Sequence, residues 1–334
     1  MIQINNFEVG QADCILIHFE KSVEMSDLGG NVLIEKKYFN LLIDGAYKKS
    51  KIENKLNETL GEEQIQGIVV THIDEDHISG ILGLVEKQMN KIENAFLLFN
   101  KYDESLISYN QGKELAKQFQ KKFASNLQIK SYETEFSQEL LDHMNCDPTI
   151  LPIEIMSLEQ RTLAEEIDQE IINITILGPT RDNIKKFMQN WDDNIKEGEI
   201  TNRASIVLLI EYEGKTIVLS GDGYYIDIKS ALSDIRNLEK IDVMKAAHHG
   251  ALDNNIALVE LTEQFHCNHI FFTIDESEYQ KKKEHPDTKL LKELKKLADE
   301  REGPLVLSCN TELGKSDLNQ YMIKKNKINI GGEK

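Results

Sequence analysis

The chain has 334 residues, of which 40% are hydrophobic and 29% are charged, and its 39 basic and 57 acidic side chains give a formal net charge of −18 at pH 7. This composition is typical of a folded globular protein and excludes the disordered and fibrous classes. The negative charge repels nucleic acid at long range. Any contact with DNA therefore requires a local basic patch or bound cations.

The N-terminal residues 1–19 lack the basic start and apolar middle of a secretory signal. The longest apolar runs are far shorter than the roughly 20 residues that span a bilayer. The four cysteines form no Cys-x-x-Cys pair, which favours reduced thiols over a disulfide scaffold. We therefore expect a cytoplasmic protein without a membrane segment.

The first part of the chain contains short β-rich runs, a polar helix and an apolar strand that suits burial on both faces. The elements predicted there are strands at 2–7, 14–19, 38–43 and 67–71 and helices at 51–60 and 78–89. From about 102 to 169, Lys, Glu and Gln dominate with amphipathic spacing, which predicts a mainly helical insertion. This insertion is the expected surface for a partner protein, if there is one.

Regular alternation of strands and helices returns after the insertion. The predicted elements are strands at 171–177, 205–212, 215–219, 241–246, 269–274 and 304–307 and helices at 182–191, 255–264 and 286–298. Two sets of strands, each followed by helices, predict an α/β fold with two sheets packed face to face and helices outside. We expect a single domain over 1–323 and a flexible tail over 324–334.

The densest group of metal-binding side chains lies between the strand predicted at 67–71 and the next helix. His72, Asp74, Asp76 and His77 fall within six residues. In an extended segment alternate side chains share a side, so the first three would project together while His77 points elsewhere. One loop could then serve two ions about 3.5 to 4 Å apart, as in two-metal hydrolytic sites, with His72 and Asp74 on one ion and Asp76 and His77 on the other. Asp76 could be only a helix N-cap, but a cap does not explain four such residues.

Two further candidates for metal binding follow predicted strands. Asp222 comes directly after the strand at 215–219, and the pair His248 and His249 comes after the strand at 241–246. Each would by itself be a turn or surface residue. Together with the first cluster they favour a metal centre.

In order and spacing, these motifs resemble those of the metallo-β-lactamase-fold superfamily, and more narrowly those of the metallo-hydrolase domain of ComEC-type DNA-uptake proteins. The shared motifs are Val9-Gly10-Gln11-Ala12-Asp13, Leu42-Ile43-Asp44-Gly45, the segment from Thr71 to Gly80, Asn202 with Ser205, Ser220-Gly221-Asp222, His248-His249-Gly250 and His285-Pro286. The resemblance spans most of the chain. It implies an αββα sandwich of two mixed β-sheets with outer helices, and a site with two divalent metal ions.

By this resemblance Asp222 would bridge the two ions and His249 would complete the shell of the second, while His248 would face the substrate. The tandem leaves the reverse assignment of the two histidines open. Asp44 would orient the ligands from beneath the metal loop, although a turn aspartate before a glycine is an equally simple role.

The chain shares two departures from the common superfamily pattern with the ComEC-type subgroup. Asp74 stands where most members have His, and Asn202 occupies the region of a missing histidine. A carboxylate oxygen is a harder ligand atom than an imidazole nitrogen, so the site suits Mn²⁺ as well as Zn²⁺.

The activity that the resemblance implies is hydrolysis of a phosphodiester by a metal-activated hydroxide, and because ComEC-type proteins act on DNA, the leading hypothesis is a nuclease. The expected catalytic residues are Asp76, as a ligand of the ions, and His248 or His285, which could protonate the leaving group. His285 could instead be a helix-start residue before Pro286. The triplet Lys281, Lys282 and Lys283 could hold a phosphate or simply face solvent.

Other functions remain open at this point. The substrate could be a small phosphodiester, such as a cyclic nucleotide or a phosphocholine-like head group, or it could be a lactam, lactone or thioester. The fold could also be a non-catalytic module that binds a partner. The sequence does not indicate an oligomeric state.

Overall fold

Two β-sheets pack face to face in the computed structural model, with helices on the outer faces. The structure describes residues 1–26, 32–72, 74–87, 89–92, 95–99, 162–167, 170–180, 182–183, 186–187, 198–282, 285–313 and 317–331. The α/β sandwich predicted from the sequence is confirmed.

The first sheet is mixed. Its strands are, in spatial order, β14 (Lys327–Ile330), β1 (Ile2–Asn6), β2 (Ile15–Ser26), β3 (Val32–Ile43), β4 (Gly67–Val70) and β5 (Phe96–Phe99). The pairs from β14 to β3 are antiparallel, and β3, β4 and β5 run parallel. The outer face of this sheet packs against helices α1 (Ile52–Leu60) and α2 (Glu75–Glu86).

The second sheet is also mixed. Its strands are, in spatial order, β13 (Ile323–Lys324), β12 (Val306–Cys309), β11 (His269–Phe272), β10 (Val243–Lys245), β9 (Lys215–Leu219), β8 (Val207–Tyr212), β7 (Glu170–Gly178) and β6 (Thr162–Ile167). The helices of this half are α3 (Gly198–Arg203), α4 (Tyr225–Asp234), α5 (Leu258–Gln264), α6 (Glu276–Lys282) and α7 (Thr288–Glu300). Short 3₁₀ helices lie at 48–50, 90–92, 248–250, 253–255 and 317–320.

Alternating side chains bury the central strands on both faces. Leu41 of the first sheet belongs to the same buried cluster as Ile217 and Phe271 of the second sheet. The next residue, Leu42, points to the other side and belongs to the cluster that includes Ile81 of α2. Each such side chain contributes about 1.5–3 kcal/mol to the hydrophobic stabilisation. A strand buried on both faces needs an apolar run, which is what β3 and β4 contain.

Two predictions about regions outside the central strands are wrong. The predicted tail is not loose at 327–330, because β14 pairs antiparallel with β1 and buries Ile328 and Ile330 between the sheets. The predicted helical insertion is wrong at 162–167, where β6 forms a hairpin with β7. The rest of the insertion up to residue 161, and most of the helix predicted at 182–191, lie outside the described residues.

Cys14, Cys267 and Cys309 are free and buried, and Cys146 lies outside the described residues. Burial raises the pKa of the Cys267 and Cys309 thiols to about 12, so both stay protonated at neutral pH. In the part of the chain that the structure describes, no helix is both long enough and apolar enough to cross a membrane.

The loops that follow β4, β9 and β10 meet at one edge of the sandwich. Gly221, after β9, comes so close to the loop after β4 that a Cβ atom on it would lie 2.8 Å from the Cβ of Thr71. The backbone amide of His248, after β10, donates to the carbonyl of Gly221 at 3.2 Å. The carboxyl ends of parallel strands are the usual position of a binding site in open α/β sheets.

Candidate metal centre

Helix α2 begins three residues before the predicted start, and this changes how the metal loop presents its side chains. Asp74 is the N-cap residue, and its carbonyl accepts from the backbone amides of His77 at 3.0 Å and Ile78 at 3.1 Å. Asp76 and His77 therefore lie in the first helical turn. The prediction that His72, Asp74 and Asp76 share one side of an extended segment is wrong, and so is the alternative in which Asp76 is the N-cap.

Asp222, from the second sheet, lies at the centre of the cluster. Its Oδ2 atom is 3.5 Å from Nε2 of His77, 3.8 Å from Nε2 of His72 and 3.7 Å from Nε2 of His248. Nε2 of His72 is also 3.7 Å from Oδ2 of Asp74. Asp222 and His248 follow strands of the second sheet, and His72 and His77 follow β4 of the first sheet. Both sheets thus contribute side chains to the cluster.

His249 and Asp76 form the other end of the cluster. Nε2 of His249 lies 3.6 Å from Oδ2 of Asp76, and Nε2 of His77 lies 3.7 Å from the same oxygen. His249 has a backbone φ of 54°, in the left-handed region, and its side chain is buried. Nδ1 of His249 lies 2.8 Å from the Thr273 carbonyl, so it donates there and directs Nε2 towards Asp76.

The donor atoms fit divalent ions. Among the described residues, three groups bring their possible ligand atoms within 4.8 Å of one another: His72, His77 and Asp222; Asp76, His77 and His249; and Asp13, Asp44 and His77. The first two contain the predicted metal ligands. Nε2 of His72, Nε2 of His77 and Oδ1 of Asp222 are buried and have no hydrogen-bond partner among the described residues. Separations of 3.5–3.8 Å are too long for hydrogen bonds. They are close to the edge of about 3.4 Å of a tetrahedron with metal–ligand bonds of about 2.1 Å.

Asp44 lies beneath this cluster and holds Thr71 and His77 in place. Its carboxylate accepts from the backbone amide and the hydroxyl of Thr71, both at 2.7 Å, and from Nδ1 of His77 at 2.7 Å. The last contact places the proton of a neutral His77 on Nδ1 and leaves Nε2 as a lone-pair donor. A carboxylate that holds a ligating histidine in this way is common at metal sites.

Gly80 allows α2 to dock on the loop that carries Asp44. A Cβ atom on Gly80 would lie 1.7 Å from the carbonyl oxygen of Gly45, which no side chain could tolerate. The close approach is held by two backbone bonds, from Gly45 to the carbonyl of His77 at 2.7 Å and from Gly80 to the carbonyl of Ala46 at 2.8 Å. The glycine in the motif therefore keeps His77 within reach of Asp44.

A buried ion pair behind the centre was missed at the sequence level. Nζ of Lys245 lies 2.7 Å from Oδ2 of Asp13 and donates to the carbonyls of Gly221 at 3.1 Å and Ala246 at 3.2 Å. Oδ1 of Asp13 accepts from the Thr273 hydroxyl at 2.6 Å, and Thr273 contacts His249. Asp13 belongs to a shared motif but was given no role. Lys245, a lysine in an otherwise apolar strand, was the signal available in the sequence.

Strong electrostatic coupling sets the protonation of the cluster. Burial alone would raise the pKa of Asp222, but the imidazoles of His77 and His248 outweigh burial and hold its pKa well below the ordinary range. The pKa of Asp76 is lowered to about 2, because His77 and His249 likewise outweigh burial. Burial would lower the pKa of His77, yet Asp222 and Asp44 raise it well above 6.5, and Asp76 raises the pKa of His249. These imidazoles carry protons that a divalent cation would replace.

His248 is the half-buried histidine of the cluster, with 30% of its side chain accessible. Its Nδ1 lies 3.3 Å from the amide nitrogen of Asn202 and 3.4 Å from the amide oxygen of Asn254. The side-chain amide of Asn202 thus lies beside the His248 ring. The ring of His285 lies 5.1 Å from the ring of His248.

His285 does not start a helix. Pro286 precedes the N-cap of α7, which is Asp287, so both residues belong to the preceding loop. Of the lysine triplet, Lys281 pairs with Glu278 at 2.9 Å on the surface, and Lys283 lies outside the described residues.

A cavity of about 380 Å³ opens onto the centre. It is lined by Val9, Gly10, Gln11, Tyr47, Lys49, Asp76, His248, His249, Asp275 and Glu278. Asp76, His248 and His249 therefore face a space that a small ligand can enter.

Residues 31–94, which include β4, the metal loop and α2, match the model of the Metallo-beta-lactamase superfamily. This segment is therefore similar to the metallo-beta-lactamase superfamily. Proteins of the metallo-beta-lactamase superfamily are generally hydrolases with dinuclear metal centres, which agrees with the donor set described above. None of the curated proteins matches the chain in sequence.

Several solved structures are similar to this chain at low sequence identity. CmlA, a diiron β-hydroxylase from Streptomyces venezuelae, is 9% identical with a TM-score of 0.38, over 80% of this chain and 44% of CmlA. A diphosphatase of the PhnP family is 11% identical with a TM-score of 0.36, over 81% of this chain and 85% of that one. A metallo-β-lactamase from Hirschia baltica is 12% identical with a TM-score of 0.27, over 71% of this chain and 88% of that one. The matched part is less than half of the length of CmlA.

Proposed function

We propose that this protein is a metal-dependent phosphodiesterase that holds two divalent ions, Zn²⁺ or Mn²⁺, on either side of Asp222. The observation that carries the proposal is the position of Asp222 Oδ2, within 3.8 Å of Nε2 atoms from three different histidines. His72 and Asp74 would hold one ion, and Asp76, His77 and His249 would hold the other. His248 is left at the cavity side of the cluster.

The charge of the loaded site supports an anionic substrate. Two dications carry +4 and the carboxylates of Asp74, Asp76 and Asp222 carry −3, which leaves a net charge of about +1 on the ions and the carboxylates beside them; Asp44, behind His77, is not counted. When bound, such ions would lower the pKa of a water molecule to near neutrality and offset the negative charge that builds up on a phosphoryl group. A phosphodiester fits a weakly positive site better than a neutral lactam or lactone does.

His248 is the residue best placed to protonate the leaving group. One amide oxygen and one amide nitrogen lie within 3.4 Å of its Nδ1, from Asn254 and Asn202 respectively. The Asn254 oxygen can accept from Nδ1–H in the imidazolium and also in the neutral ring that remains after Nε2 has given up its proton. The ring is therefore supported in both protonation states, as a general acid requires. His285 lies behind His248 and is the second candidate for this role.

The remaining residues of the centre act by orientation. Asp44 aims Nε2 of His77 at the cluster, and Thr273 does the same for His249. Ligand rings that are held by hydrogen bonds do not have to be reorganised during the reaction. The motif likeness to ComEC-type domains further supports a phosphodiester substrate.

The test is hydrolysis of bis(p-nitrophenyl) phosphate by the purified chain loaded with Mn²⁺ or with Zn²⁺. We expect turnover with at least one metal, and a loss on the order of a hundredfold or more in Asp222→Asn. Asp234→Asn, an exposed aspartate at the end of α4, is the matched control and should behave as wild type. Bound metal without turnover of this ester would overturn the proposal and favour a binding module.

A further inference from the structure

Beyond the metal-binding side chains, the cavity is lined by side chains of both charges. Lys49, in the 3₁₀ helix after β3, forms what we call the basic wall, and Asp275 and Glu278, at the start of α6, form the acidic wall. Because both walls line the cavity that reaches Asp76 and His248, they face whatever is attached to the reacting group.

Lys49 is a cation without a carboxylate partner among the described residues. Its Nζ lies 4.6 Å from the centroid of the Tyr47 ring, and the ring supports it from below. Tyr47 is half-buried, and burial together with Asp76 raises the pKa of its hydroxyl, so the phenol stays neutral. This wall therefore offers one positive charge and one hydroxyl group.

Asp275 is a carboxylate with one oxygen fixed and the other directed to the cavity. Its Oδ1 accepts from the backbone amide of Ser277 at 2.8 Å, from the Ser277 hydroxyl at 2.7 Å and from the amide of Glu278 at 3.2 Å. Oδ2 faces Gly10, where a Cβ atom would lie 3.5 Å from it. The helix start thus holds a fixed negative charge at the rim.

We infer that this cavity selects a small phosphodiester whose non-reacting alcohol carries hydroxyl groups, and that it discriminates against polynucleotides. Lys49 would attract the phosphate, and Asp275 would accept a hydrogen bond from one of the hydroxyl groups. The inference rests on the proposed phosphodiesterase activity. A cavity of about 380 Å³ is large enough for an ester of mononucleotide size.

The same charges disfavour a nucleic acid chain. Each nucleic acid strand carries a phosphate for about every 3.4 Å of helix rise. With one phosphate at the metal centre, a polynucleotide would bring its neighbouring phosphates towards Asp275 and Glu278, which line the same cavity, and like charges repel over a Debye length of about 8–10 Å. Lys49 can offset only one of these repulsions. The net charge of −18 on the whole chain acts in the same direction.

The experiment compares two substrates in the full-length, metal-loaded chain. The first is the p-nitrophenyl ester of thymidine 5′-monophosphate, which has one phosphate and a free sugar hydroxyl, and the second is a 15-residue oligothymidylate. The readout is the ratio of kcat/KM for the oligothymidylate to that for the thymidine ester, in wild type, Asp275→Asn and Asp299→Asn. Asparagine keeps Oδ1 as the acceptor for Ser277, so the start of α6 should be preserved, and Asp299 is an exposed control in α7.

We expect the ratio of kcat/KM for the oligothymidylate to that for the thymidine ester to rise about tenfold or more in Asp275→Asn, because the substitution removes one repulsion between like charges. In Asp299→Asn the ratio should stay at the wild-type value. Lys49→Gln should lower kcat/KM for the thymidine ester about tenfold, mainly through KM. An unchanged ratio in Asp275→Asn, in a protein that hydrolyses bis(p-nitrophenyl) phosphate, would overturn the inference and leave the proposed function intact. Failure of the wild type to hydrolyse any of the esters would remove both.

Discussion

Removing the ammonium group of Lys245 tests how the candidate metal centre is supported. Its Nζ lies 2.7 Å from Oδ2 of Asp13 and 3.1 Å from the Gly221 carbonyl, and both charged side chains are 1% exposed. Lys245→Met keeps most of the apolar length but leaves Asp13 as a buried, unpaired charge. Losing one partner of a buried ion pair costs about 3–5 kcal/mol. Domains have a total stability of about 5–15 kcal/mol, so this loss is a large part of it.

The assay is urea unfolding of the metal-free chain at pH 7, followed by circular dichroism. We expect the free energy of unfolding of Lys245→Met to fall by about 3–5 kcal/mol. The double variant Lys245→Met/Asp13→Asn removes both charges and keeps Oδ1 as an acceptor for Thr273, so it should regain about 2 kcal/mol over the single variant. A single-variant loss below about 1 kcal/mol, or a double variant no more stable than the single one, would refute this reasoning.

Three other predictions concern the centre and the core. Asp76→Asn should abolish turnover while the metal-free chain still folds. Its melting temperature should fall below the wild-type value, because the lowered pKa of Asp76 means that its charge stabilises the folded state. Hydrolysis assays and thermal melts check this, and retained activity would contradict the two-metal mechanism. Neighbouring carboxylates raise the pKa of His77 well above 6.5. The stability that the charged ring contributes is therefore complete below pH 6.5 and is lost as pH rises through the folded-state pKa. A metal ion that binds to His77 must displace the same proton. Apparent metal affinity should therefore rise about tenfold per pH unit for each proton released between about pH 6 and 8, and an affinity that does not change in dye-competition titrations would count against it. Burial, with help from Lys325, lowers the pKa of His269 to about 4, so the folded state loses up to about 3 kcal/mol as pH falls from 6.5 to 4. In His269→Gln, whose side chain can still bond Ser308, the free energy of unfolding should fall less between pH 6.5 and 4, as measured by urea unfolding at several pH values. An unchanged fall would show that another group controls it.

The central strands and helices α1, α2, α5 and α7 could be predicted because their patterns are local, whereas the sequence patterns predict none of α3, α4 and α6. β4 is a short apolar run, and the strand, the metal loop and the following helix appear in the expected order. The start of α2 was misplaced because the apolar run begins at Ile78. The helix itself begins at Glu75, where the Asp74 carbonyl receives the first backbone bonds.

The wrong assignments share a tertiary cause. β14 is a strand because Ile328 and Ile330 pair with a strand more than 300 residues away, and a short run among lysines shows no such partner in the sequence. β6 is rich in glutamate, which favours helix, yet it pairs with β7 as a hairpin. Pairing with a neighbouring strand overrides local propensity in both.

The donor residues could be named from the sequence, but not their grouping. His77 belongs to both clusters because the first turn of α2 directs it between Asp222 and Asp76. The pair Lys245 and Asp13 could not be predicted, since it joins residues 232 positions apart through a contact that forms only when the sheets pack.

The central claim is that Asp222 lies between two divalent ions. Anomalous diffraction from crystals of the Mn²⁺-loaded chain tests it directly. We expect two anomalous peaks about 3.5–4 Å apart on either side of Asp222 Oδ2, one next to His72 and Asp74 and the other next to Asp76 and His249. No peak within bonding distance of Asp222 would contradict the account.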